Sequence, residues 1–472
     1  MYSNIILSSD SYKYSQFNQY PEGTEYVYSY IQSRGGQYDI GVYFGLQAFL
    51  IEYMSKPVTM ADIDEAEEII LAHGEPFNRA GWEYIVKVHK GILPLEIRGL
   101  PEGIKFDPHA NIPLVTVVNT DPKVGWLVSF METALLRAVW YPTTVASNSY
   151  ASRRAIRGYL EKTGDVSGLD FKLHDFGARG VSSIESAGLG GLAHLATGAM
   201  GTDTVSALLA ARKYYAADMA GFSIPAMEHS TVTSWGRENE VESYRNMLKL
   251  YGKPGAIFAA VSDSYNIYEA CKMWGTELKQ AVIDSGATLV VRPDSGTPHI
   301  VVLEVVKLLD QYFGSTINAK GYKVLNHVRV IQGDGINTQE ILRICFALDL
   351  AGYSVDNVAF GQGGALLQAV NRDTMKFAMK CSAIAVRTYM GRHDELGSPY
   401  WRDVYKDPIH DSGKRSMKGC FSVIRDTEDN GDGLKCVPLD LALKNDLLQV
   451  RFFNGELPNI TTLSEVRALA NA

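Results

Sequence analysis

The sequence predicts an α/β fold in which a parallel α/β barrel is joined to an α+β domain built from both ends of the chain. Three observations predict it. Apolar runs of strand length alternate with amphipathic helix patterns through the middle of the chain. Polar or glycine residues follow most of these runs, and the alternation is absent from the two flanks. Continuous apolar strands separated by helices are typical of a parallel sheet covered by helices.

The chain is long enough for more than one domain, because 472 residues exceed the length at which a single small core stops growing. We expect an N-terminal α+β segment over 1–150, a barrel over 151–384, and a C-terminal segment over 385–472 that packs with the N-terminal one. The flanks carry strand patterns such as PLEIRGLPEGI and helix patterns such as VGWLVSFMETALLRAVWY, without the rhythm of the barrel.

The first barrel elements are predicted in the order strand, helix, strand, helix. FKLHDFG (171–177) is a strand, and TDTVSALLAARKYY (202–215) is a helix with Thr202 as its N-cap. GFSI (221–224) is a short buried strand, and EVESYRNMLKLYG (240–252) is a helix that ends at its glycine.

Four further strand and helix pairs follow in the same rhythm. They are GAIFAAVSDS with YNIYEACKMWGTELKQAVIDSG, TLVVRPDSG with IVVLEVVKLLDQYFG, VRVIQGDG with TQEILRICFALDLAG, and NVAFGQGG with ALLQAVN. Each strand pattern is a nearly continuous apolar run, as expected when both faces of a sheet are buried.

The residues that end the strands are of reactive or ligand-binding types. They are His174-Asp175, Glu228-His229, Asp263, Arg292 with Asp294, Asp334, and Gly363-Gly364. Turn chemistry after a strand explains any one of them. Turn chemistry does not explain why arginine and histidine stand at equivalent strand ends. In a parallel barrel the carboxyl ends of the strands share one face, so these groups are expected at one mouth.

Composition excludes several classes of protein. A formal net charge of −8 argues against a general nucleic-acid binder. No apolar stretch approaches the ~18 residues of a membrane span, and the N-terminus MYSNIILSSDSYKYS lacks the basic region of a signal peptide. The five cysteines contain no CxxC pair, which indicates a reducing compartment. We expect a cytoplasmic protein without nucleic-acid or membrane partners.

Two glycine turns are candidates for binding phosphate. Gly363 and Gly364 precede a helix pattern, where backbone N–H groups and the helix dipole favour an anion. Asp334, in IQGDG, suits ribose hydroxyls or a phosphate edge. Arg372 and Lys380 are further cations, for which a solvated surface is the alternative interpretation. The sequence contains no P-loop, no G-x-S-x-G elbow and no H-E-x-x-H zinc motif.

The turns RPDSG and HDFGARG carry the remaining candidate groups. Arg292 suits a bidentate grip on phosphate, and Asp294 suits a ribose diol or a magnesium ion. Phe176 offers a face for stacking on a flat heterocycle beside Arg179, although a core role is the commoner one for phenylalanine. His229 is either a structural histidine or a reaction centre.

Nine motifs occur along the chain in the order DSYKYSQFNQYPEGTEYVYSY, LHDFGARGVSS, GTDTV, PAMEHSTVTSWG, VSDSYNIY, RPDSG, IQGDG, FGQGG and RDTMKFAMKCS. In sequence and in order they resemble the motifs of the nicotinamide phosphoribosyltransferases, which are type II phosphoribosyltransferases. The resemblance implies an irregular α/β barrel and a homodimer with active sites at the interface. It implies the substrates nicotinamide, phosphoribosyl pyrophosphate and ATP, with Mg²⁺, and the products nicotinamide mononucleotide and pyrophosphate.

The resemblance also implies roles for individual residues. His229 matches the histidine that ATP phosphorylates, with Asp263 as its orienting partner and Asp294 as a third catalytic group. Asp203 matches the acceptor for the carboxamide N–H. The implied substrate-binding set is Asp10, Tyr12, Phe176, Arg179, Asp203, Ser223, Arg292, Gly333, Asp334, Gly363, Gly364, Arg372 and Lys380. In this set Tyr12, Arg372 and Lys380 reach the site of the other subunit. The resemblance implies Mg²⁺ without assigning the residues that bind it.

Two other functions remain as alternatives. Nicotinate phosphoribosyltransferase activity on the same fold is disfavoured by Asp203, because a carboxylate repels nicotinate and accepts from an amide. A non-catalytic scaffold relative is disfavoured because a scaffold needs neither His229 nor Arg292. Departures from the family pattern at Ala178, Gln362 and Ala259 affect the shape of the pocket and leave these groups in place.

Overall fold

The chain forms two compact units in a computed structural model, which describes residues 4–387, 399–410, 414–426, 433–441 and 445–472. Unit 1 comprises Met1–Ser147, Lys213–Ala216 and Asn371–Ala472, and unit 2 comprises Asn148–Arg212 and Ala217–Val370. The boundaries expected from the sequence, after residues 150 and 384, stay predictions of the domain organisation.

Unit 1 is built on a six-stranded antiparallel sheet with strand order β15-β14-β1-β5-β3-β18. Strands from both ends of the chain therefore lie in one sheet. Its strands, with two smaller pairs, are β1 Thr24–Gln32, β2 Gly41–Val42, β3 Leu95–Gly99, β4 Lys105–Phe106, β5 Pro113–Asn119, β14 Ala378–Val386, β15 Tyr400–Asp403, β16 Phe421–Asp426, β17 Gly433–Pro438 and β18 Gln449–Phe453. Its helices are α1 Leu46–Phe49, α2 Met60–His73, α3 Arg79–His89, α4 Trp126–Phe130 and α15 Leu463–Asn471.

Unit 2 contains a six-stranded parallel sheet with strand order β7-β6-β13-β12-β9-β8. Its strands, with one hairpin, are β6 Leu173–Asp175, β7 Gly201–Thr202, β8 Ile257–Val261, β9 Thr288–Arg292, β10 Ser315–Ile317, β11 Lys323–Leu325, β12 Val328–Gln332 and β13 Val358–Gln362. Its helices are α6 Ile184–Ala196, α8 His229–Thr233, α9 Glu240–Tyr251, α10 Ile267–Gly275, α11 Lys279–Ser285, α12 Pro298–Phe313, α13 Thr338–Leu350 and α14 Gly364–Leu367. Helices α5 Glu132–Thr163 and α7 Val205–Tyr215 contribute residues to both units.

The parallel sheet curls into the irregular barrel that the sequence predicts. A segment without regular strand structure spans its two edges: Phe222 forms a single bridge with Gly201 on one edge strand, and Ala226 forms a single bridge with Ala259 on the other. The sequence prediction of a buried strand at GFSI is therefore wrong. Pro225, which lacks an N–H, interrupts the pairing between the two bridges, and Phe222 is exposed.

The strands of the parallel sheet are apolar on both faces, the one that packs against the helices and the one inside the barrel. On β9, Leu289 and Val291 pack into the large cluster formed with the surrounding helices, whereas Val290 packs inside the barrel with Ala259 and Ile331. Alternate side chains of a strand point to opposite faces, so both faces are apolar here because both are buried.

Three further local predictions differ from the structure. Thr202 is not the N-cap of the first barrel helix: it lies in β7, and its hydroxyl accepts from the Thr204 N–H at 3.0 Å. The long helix pattern after β8 is two helices, α10 and α11, interrupted between Thr276 and Leu278. The helix after Gly363 is the single turn α14, so its dipole contributes little to an anion site.

No helix among the described residues is long and apolar enough to cross a membrane.

Candidate active site

The predicted site residues of unit 2 lie where its parallel strands end. Phe176 follows β6, Asp203 follows β7, and Asp263 follows β8. Arg292 is the last residue of β9, and Gly333 follows β12. These ends share one face of a parallel sheet, as the sequence predicts.

His229 stands at the start of α8 and faces two carboxylates. Its Nε2 lies 3.7 Å from Asp263 Oδ1 and 3.6 Å from Asp294 Oδ2, and its Nδ1 lies 3.1 Å from Ser264 Oγ. The imidazole is 45% exposed. It is therefore open to a reactant and is not a core histidine. Glu228, just before the helix, accepts from the Ser230 hydroxyl.

Asp263 links the ends of β8 and β9. Its side chain is 4% exposed, and its Oδ2 accepts from the Asp294 N–H at 3.1 Å and from the Ser295 hydroxyl at 2.5 Å. Its Oδ1 makes no hydrogen bond among the described residues and lies towards His229. A buried carboxylate oxygen left in this state is available to a cation.

Arg292 and Asp294 form an ion pair at the end of β9. One guanidinium Nη lies 3.3 Å from Asp294 Oδ2, and the buried Arg292 Nε has no hydrogen-bond partner in the described part of the chain. The group therefore retains a donor for an anionic ligand.

Phe176 is half-buried above the inner cluster of the barrel. Its ring lies against Gly361 and Gly333, where a Cβ atom would stand 2.0 Å and 3.3 Å, respectively, from ring atom Cε2. The Phe176 N–H donates to the Gln362 carbonyl at 3.0 Å, which attaches the turn to β13. The glycine at 361 thus leaves the space that the ring occupies.

Asp203 is exposed at the end of β7, next in the sheet to the strand that carries Phe176. Its Oδ1 accepts from the Ser223 hydroxyl at 2.6 Å, and its backbone N–H donates to the Asp175 carbonyl at 2.9 Å. Asp175 is fully buried beside it. Burial raises the pKa of Asp175 to about 6, and the charge of Asp203 adds to the rise.

The glycine turns after β12 and β13 differ in how crowded they are. Gly333 lies beside Phe176 and Asp294, and a Cβ at Gly364 would meet no atom within 4 Å. Gly363 precedes α14 with φ −95° and ψ −115°. Asp334 is exposed, and its carbonyl accepts from the Gln332 side chain at 3.0 Å.

Arg179 is exposed in a short 3-10 helix, Ala178–Gly180, and a Cβ at Gly180 of this helix would lie 3.3 Å from Gly364. Ala178, one of the departures from the family pattern, is exposed in the same turn.

Four predicted site residues belong to unit 1. Asp10 accepts from the Thr133 hydroxyl at 2.7 Å, and Tyr12 is 55% exposed. Arg372 is exposed, and one of its Nη atoms lies 3.2 Å from Asp373. Lys380 lies in β14 opposite Tyr30.

Lys380 lies in a group of cations that the sequence did not single out. Burial lowers its pKa, Glu132 opposes that fall, and the charges of Arg34, Lys13 and Lys406 add to it. Lys13 is 5% exposed and pairs with Glu132. Only three-dimensional pairing brings these positions together.

Two serines of the His229 group were also missed. Ser264 bonds the imidazole and Ser295 bonds Asp263. A signal was present, because the same Asp-Ser pair follows two consecutive barrel strands, at Asp263 and at Asp294.

The donor set suits a magnesium ion shared with a bound phosphate. No group of three or more histidine, cysteine or carboxylate side chains is arranged to hold a metal among the described residues. Asp263 Oδ1 and the Asp294 carboxylate are the available oxygens. Mg²⁺ is commonly held by one or two carboxylates together with water and substrate phosphates, so these residues fit it.

Two family models match the chain. The nicotinate phosphoribosyltransferase (NAPRTase) family matches residues 171–447, and the N-terminal domain of nicotinamide phosphoribosyltransferase matches residues 4–97.

Two curated relatives are similar over nearly their whole length. A nicotinamide phosphoribosyltransferase of Xanthomonas campestris pv. campestris is 52% identical and covers 99% of this chain and 98% of its own. One of Acinetobacter baylyi is 32% identical and covers 98% of this chain and 96% of its own.

Two solved structures share the fold. Nicotinate-nucleotide pyrophosphorylase of Pyrococcus furiosus has a TM-score of 0.60 at 16% identity, with 99% of this chain and 95% of that one covered. Human nicotinic acid phosphoribosyltransferase has a TM-score of 0.58 at 16% identity, with 98% and 93% covered.

Proposed function

The chain belongs to the nicotinate phosphoribosyltransferase family and is a pentosyltransferase, and from this premise we propose how the barrel mouth carries out its reaction. The reaction is the transfer of a phosphoribosyl group from phosphoribosyl pyrophosphate to nicotinamide, a step of NAD biosynthesis. The roles of individual residues, ATP, Mg²⁺ and the second subunit are the proposal.

The observation that carries the choice of base is the Asp203 carboxylate, held by Ser223 at the end of the strand beside Phe176. The Phe176 ring stacks on the pyridine, and Arg179 binds near the base and the phosphates. The free oxygen of Asp203 accepts from the carboxamide N–H₂. A carboxylate there repels nicotinate and leaves it without a donor, which favours the amide base.

The transfer step needs orientation more than proton transfer. The lone pair of the pyridine nitrogen attacks the anomeric carbon of the ribose, and the bond from that carbon to the pyrophosphate oxygen breaks. Pyrophosphate leaves with the electron pair. The pyridine nitrogen is already a nucleophile, so stacking on Phe176 supplies the alignment that the step requires.

The phosphates and ribose bind at the ends of β9, β12 and β13. Arg292 donates to phosphate through its Nε, which is unpartnered within the described residues, and Asp294 and Asp334 face ribose hydroxyls. The turns at Gly333, Gly363 and Gly364 let the substrate approach the backbone. Asp263 and Asp294 would hold Mg²⁺, which would supply positive charge next to the leaving pyrophosphate.

His229 is the proposed phosphoryl acceptor from ATP. The two carboxylates near Nε2 favour the tautomer with its proton there, which leaves the lone pair on Nδ1, beside Ser264. Attack of Nδ1 on the terminal phosphorus forms the N–P bond, breaks the bond to the bridging oxygen and releases ADP. Hydrolysis of the phosphohistidine then favours product formation.

The active unit is proposed to be a homodimer in the cytoplasm, with Tyr12, Arg372 and Lys380 of one copy completing the site of the other. Large apolar side chains exposed on unit 2, Ile184, Val205 and Leu209, support a partner surface. The five cysteines are all free, which supports a reducing compartment.

The proposal is tested by following mononucleotide formation from nicotinamide, phosphoribosyl pyrophosphate and Mg²⁺, with and without ATP. We expect synthesis in both cases and faster synthesis with ATP. His229→Ala should retain basal synthesis and lose both the stimulation and the labelling from γ-³²P-ATP. ATP stimulation that survives in this variant contradicts the role of His229; absence of product in the wild type under all conditions contradicts the function.

A further inference from the structure

Asp175, whose carboxyl is buried, adjoins both groups proposed to bind the base. It is the last residue of β6, and the next residue is Phe176. Its carbonyl accepts from the Asp203 N–H at 2.9 Å, and its Oδ1 accepts from the Gly177 N–H at 2.7 Å. One residue therefore holds both the turn that carries the aromatic ring and the turn that carries the amide acceptor.

The surroundings of Asp175 compensate its charge only in part: burial raises its pKa, and hydrogen bonding to the Gly177 N–H and to the hydroxyls of Thr204 and Thr202 offsets only part of that rise. The side chain is fully buried, and Oδ2 makes no hydrogen bond of normal geometry among the described residues. A Cβ at Gly191 of α6 would stand 2.8 Å from Oδ2, so a helix backbone packs closely against the carboxyl. No cation pairs with it in the described part of the chain. Its field is therefore weakly screened.

The titratable groups on the adjoining elements are few. Asp203 follows β7, His174 precedes Asp175 on β6, and His194 lies on α6. Burial lowers the pKa of His174, so this ring is neutral near pH 7. His194 is buried and bonds Ser149 and the Gly201 carbonyl. Asp203 adds negative charge on the same side, and its repulsion contributes to the raised pKa of Asp175, which is about 6.

We infer that Asp175 is a second determinant of base specificity, whose buried carboxylate adds negative potential where the carboxylate of nicotinate would have to bind. Asp203 discriminates between the two bases by direct contact. Asp175 discriminates between them through its electrostatic field, from the end of the neighbouring strand β6. The inference rests on the proposed role of Asp203. It goes beyond that role because Asp175 touches neither base.

The test is the ratio of kcat/KM for nicotinamide to kcat/KM for nicotinate. Asp175→Asn removes the charge and keeps the shape of the side chain and an acceptor for the Gly177 N–H. We expect the ratio to fall on the order of tenfold, the effect of one nearby unit charge at an effective dielectric constant of about 20. An unchanged ratio in a folded Asp175→Asn enzyme overturns the inference.

Two controls separate the possible failures. Asp356 lies just before the start of β13, where its side chain accepts hydrogen bonds from the Ser354 hydroxyl and the Asp165 N–H. Asp356→Asn should leave the ratio unchanged. Asp203→Asn should change the ratio more than Asp175→Asn. If Asp203→Asn leaves the ratio unchanged, the proposed base site fails; if Asp203→Asn alone changes it, only the role of Asp175 fails.

A measurement on the wild type keeps the inference testable if Asp175→Asn does not fold. Lowering the pH through about 6 protonates Asp175, so the preference for nicotinamide should fall between pH 7.5 and pH 5.5. A preference that is constant over this range overturns the inference.

Discussion

Asp175 should leave a signature in the stability of the protein as well as in its specificity. Burial raises its pKa from 3.8 to about 6, so the folded protein keeps a proton that the unfolded chain loses. The contribution of this proton to the free energy of unfolding is fully present below the ordinary pKa of 3.8 and is lost as the pH rises through about 6. The difference at neutral pH is about 3 kcal/mol, from about two pKa units at about 1.4 kcal/mol each. Asp175→Asn should therefore gain stability relative to the wild type over this range, measured by urea unfolding at several pH values.

Asp349 provides a control of opposite sign. Although partial burial opposes the shift, the ion pair with Lys162 and the hydrogen bond from Tyr322 lower the pKa of Asp349. The ionised Asp349 carboxylate therefore stabilises the folded protein at pH values above the ordinary pKa of an aspartate, and this stabilisation is lost as the pH falls through the lowered pKa. Asp349→Asn should therefore lose stability relative to the wild type as the pH rises. A relative stability of Asp175→Asn that does not change with pH contradicts the buried, proton-retaining state.

Sequence reasoning at this scale found the groups whose residue type is rare at a strand end. His229 and Arg292 stand out because turns do not require them. Asp175 belongs to the strand-end groups that the sequence predicts, but it is not assigned to the site, because an aspartate at the end of a strand is ordinary turn chemistry. What distinguishes it is complete burial against a helix backbone, and that depends on the glycine at 191, sixteen positions further along the chain.

At the scale of the element, strand β13 should set the position of the stacking ring. A Cβ at Gly361 would stand 2.0 Å from Phe176 Cε2, so Gly361→Ala must displace the ring. The strand backbone itself accepts alanine. We expect the KM for nicotinamide to rise about tenfold or more with a smaller change in the KM for phosphoribosyl pyrophosphate, because misplacement of a reactant by about 1 Å costs on the order of 100-fold.

Gly158→Ala is the matched control for this change. A Cβ at Gly158, inside α5, meets no atom within 4 Å. Alanine in a helix interior is favoured over glycine by about 1 kcal/mol, so this variant should be as stable as the wild type or more so, with both KM values unchanged. Equal kinetics of Gly361→Ala and the wild type would show that Phe176 does not stack on the base.

The elements predicted correctly are those whose pattern agrees with their burial on both faces. Strands β8, β9, β12 and β13 are apolar runs, and helices α9, α12 and α13 have one apolar stripe, so periodicity predicts them. GFSI has the same composition, yet Pro225 beside it removes the N–H that a ladder needs. The segment closes the barrel through two bridges, which no local pattern indicates.

At the scale of the whole molecule, unit 1 carries a cationic group without an equal number of anions. Lys380 is surrounded by Arg34, Lys13 and Lys406, and Glu132 is the nearby carboxylate that opposes their effect on its pKa. A surplus of positive charge is stabilised when an anion binds. From the residues alone, Lys380 is a candidate cation with a solvated surface as the alternative, and only the family resemblance assigns it to the site. The group itself is not predicted, because the other cations come from positions far apart in the chain.

If this cationic group serves the barrel mouth of a second copy, two different inactive variants should restore each other. Arg292→Ala removes a phosphate donor of unit 2, and Lys380→Ala removes one of unit 1, so each homodimer should be nearly inactive. A mixed dimer contains one site in which both residues are intact. Because half of the dimers are mixed at equal expression, co-expression should recover about a quarter of wild-type activity.

The comparison that makes this decisive uses two variants from the same unit. Arg292→Ala co-expressed with Asp294→Ala places both defects in the same half of the site, so each mixed dimer has one defect in every site and activity should stay low. For each co-expressed pair, the dimer fraction is isolated by size-exclusion chromatography before the assay, so that the activity measured is that of dimers alone. Recovery in neither pair, with dimers present in both, would mean that each subunit completes its own site, because only a site shared between copies can be repaired by exchanging subunits.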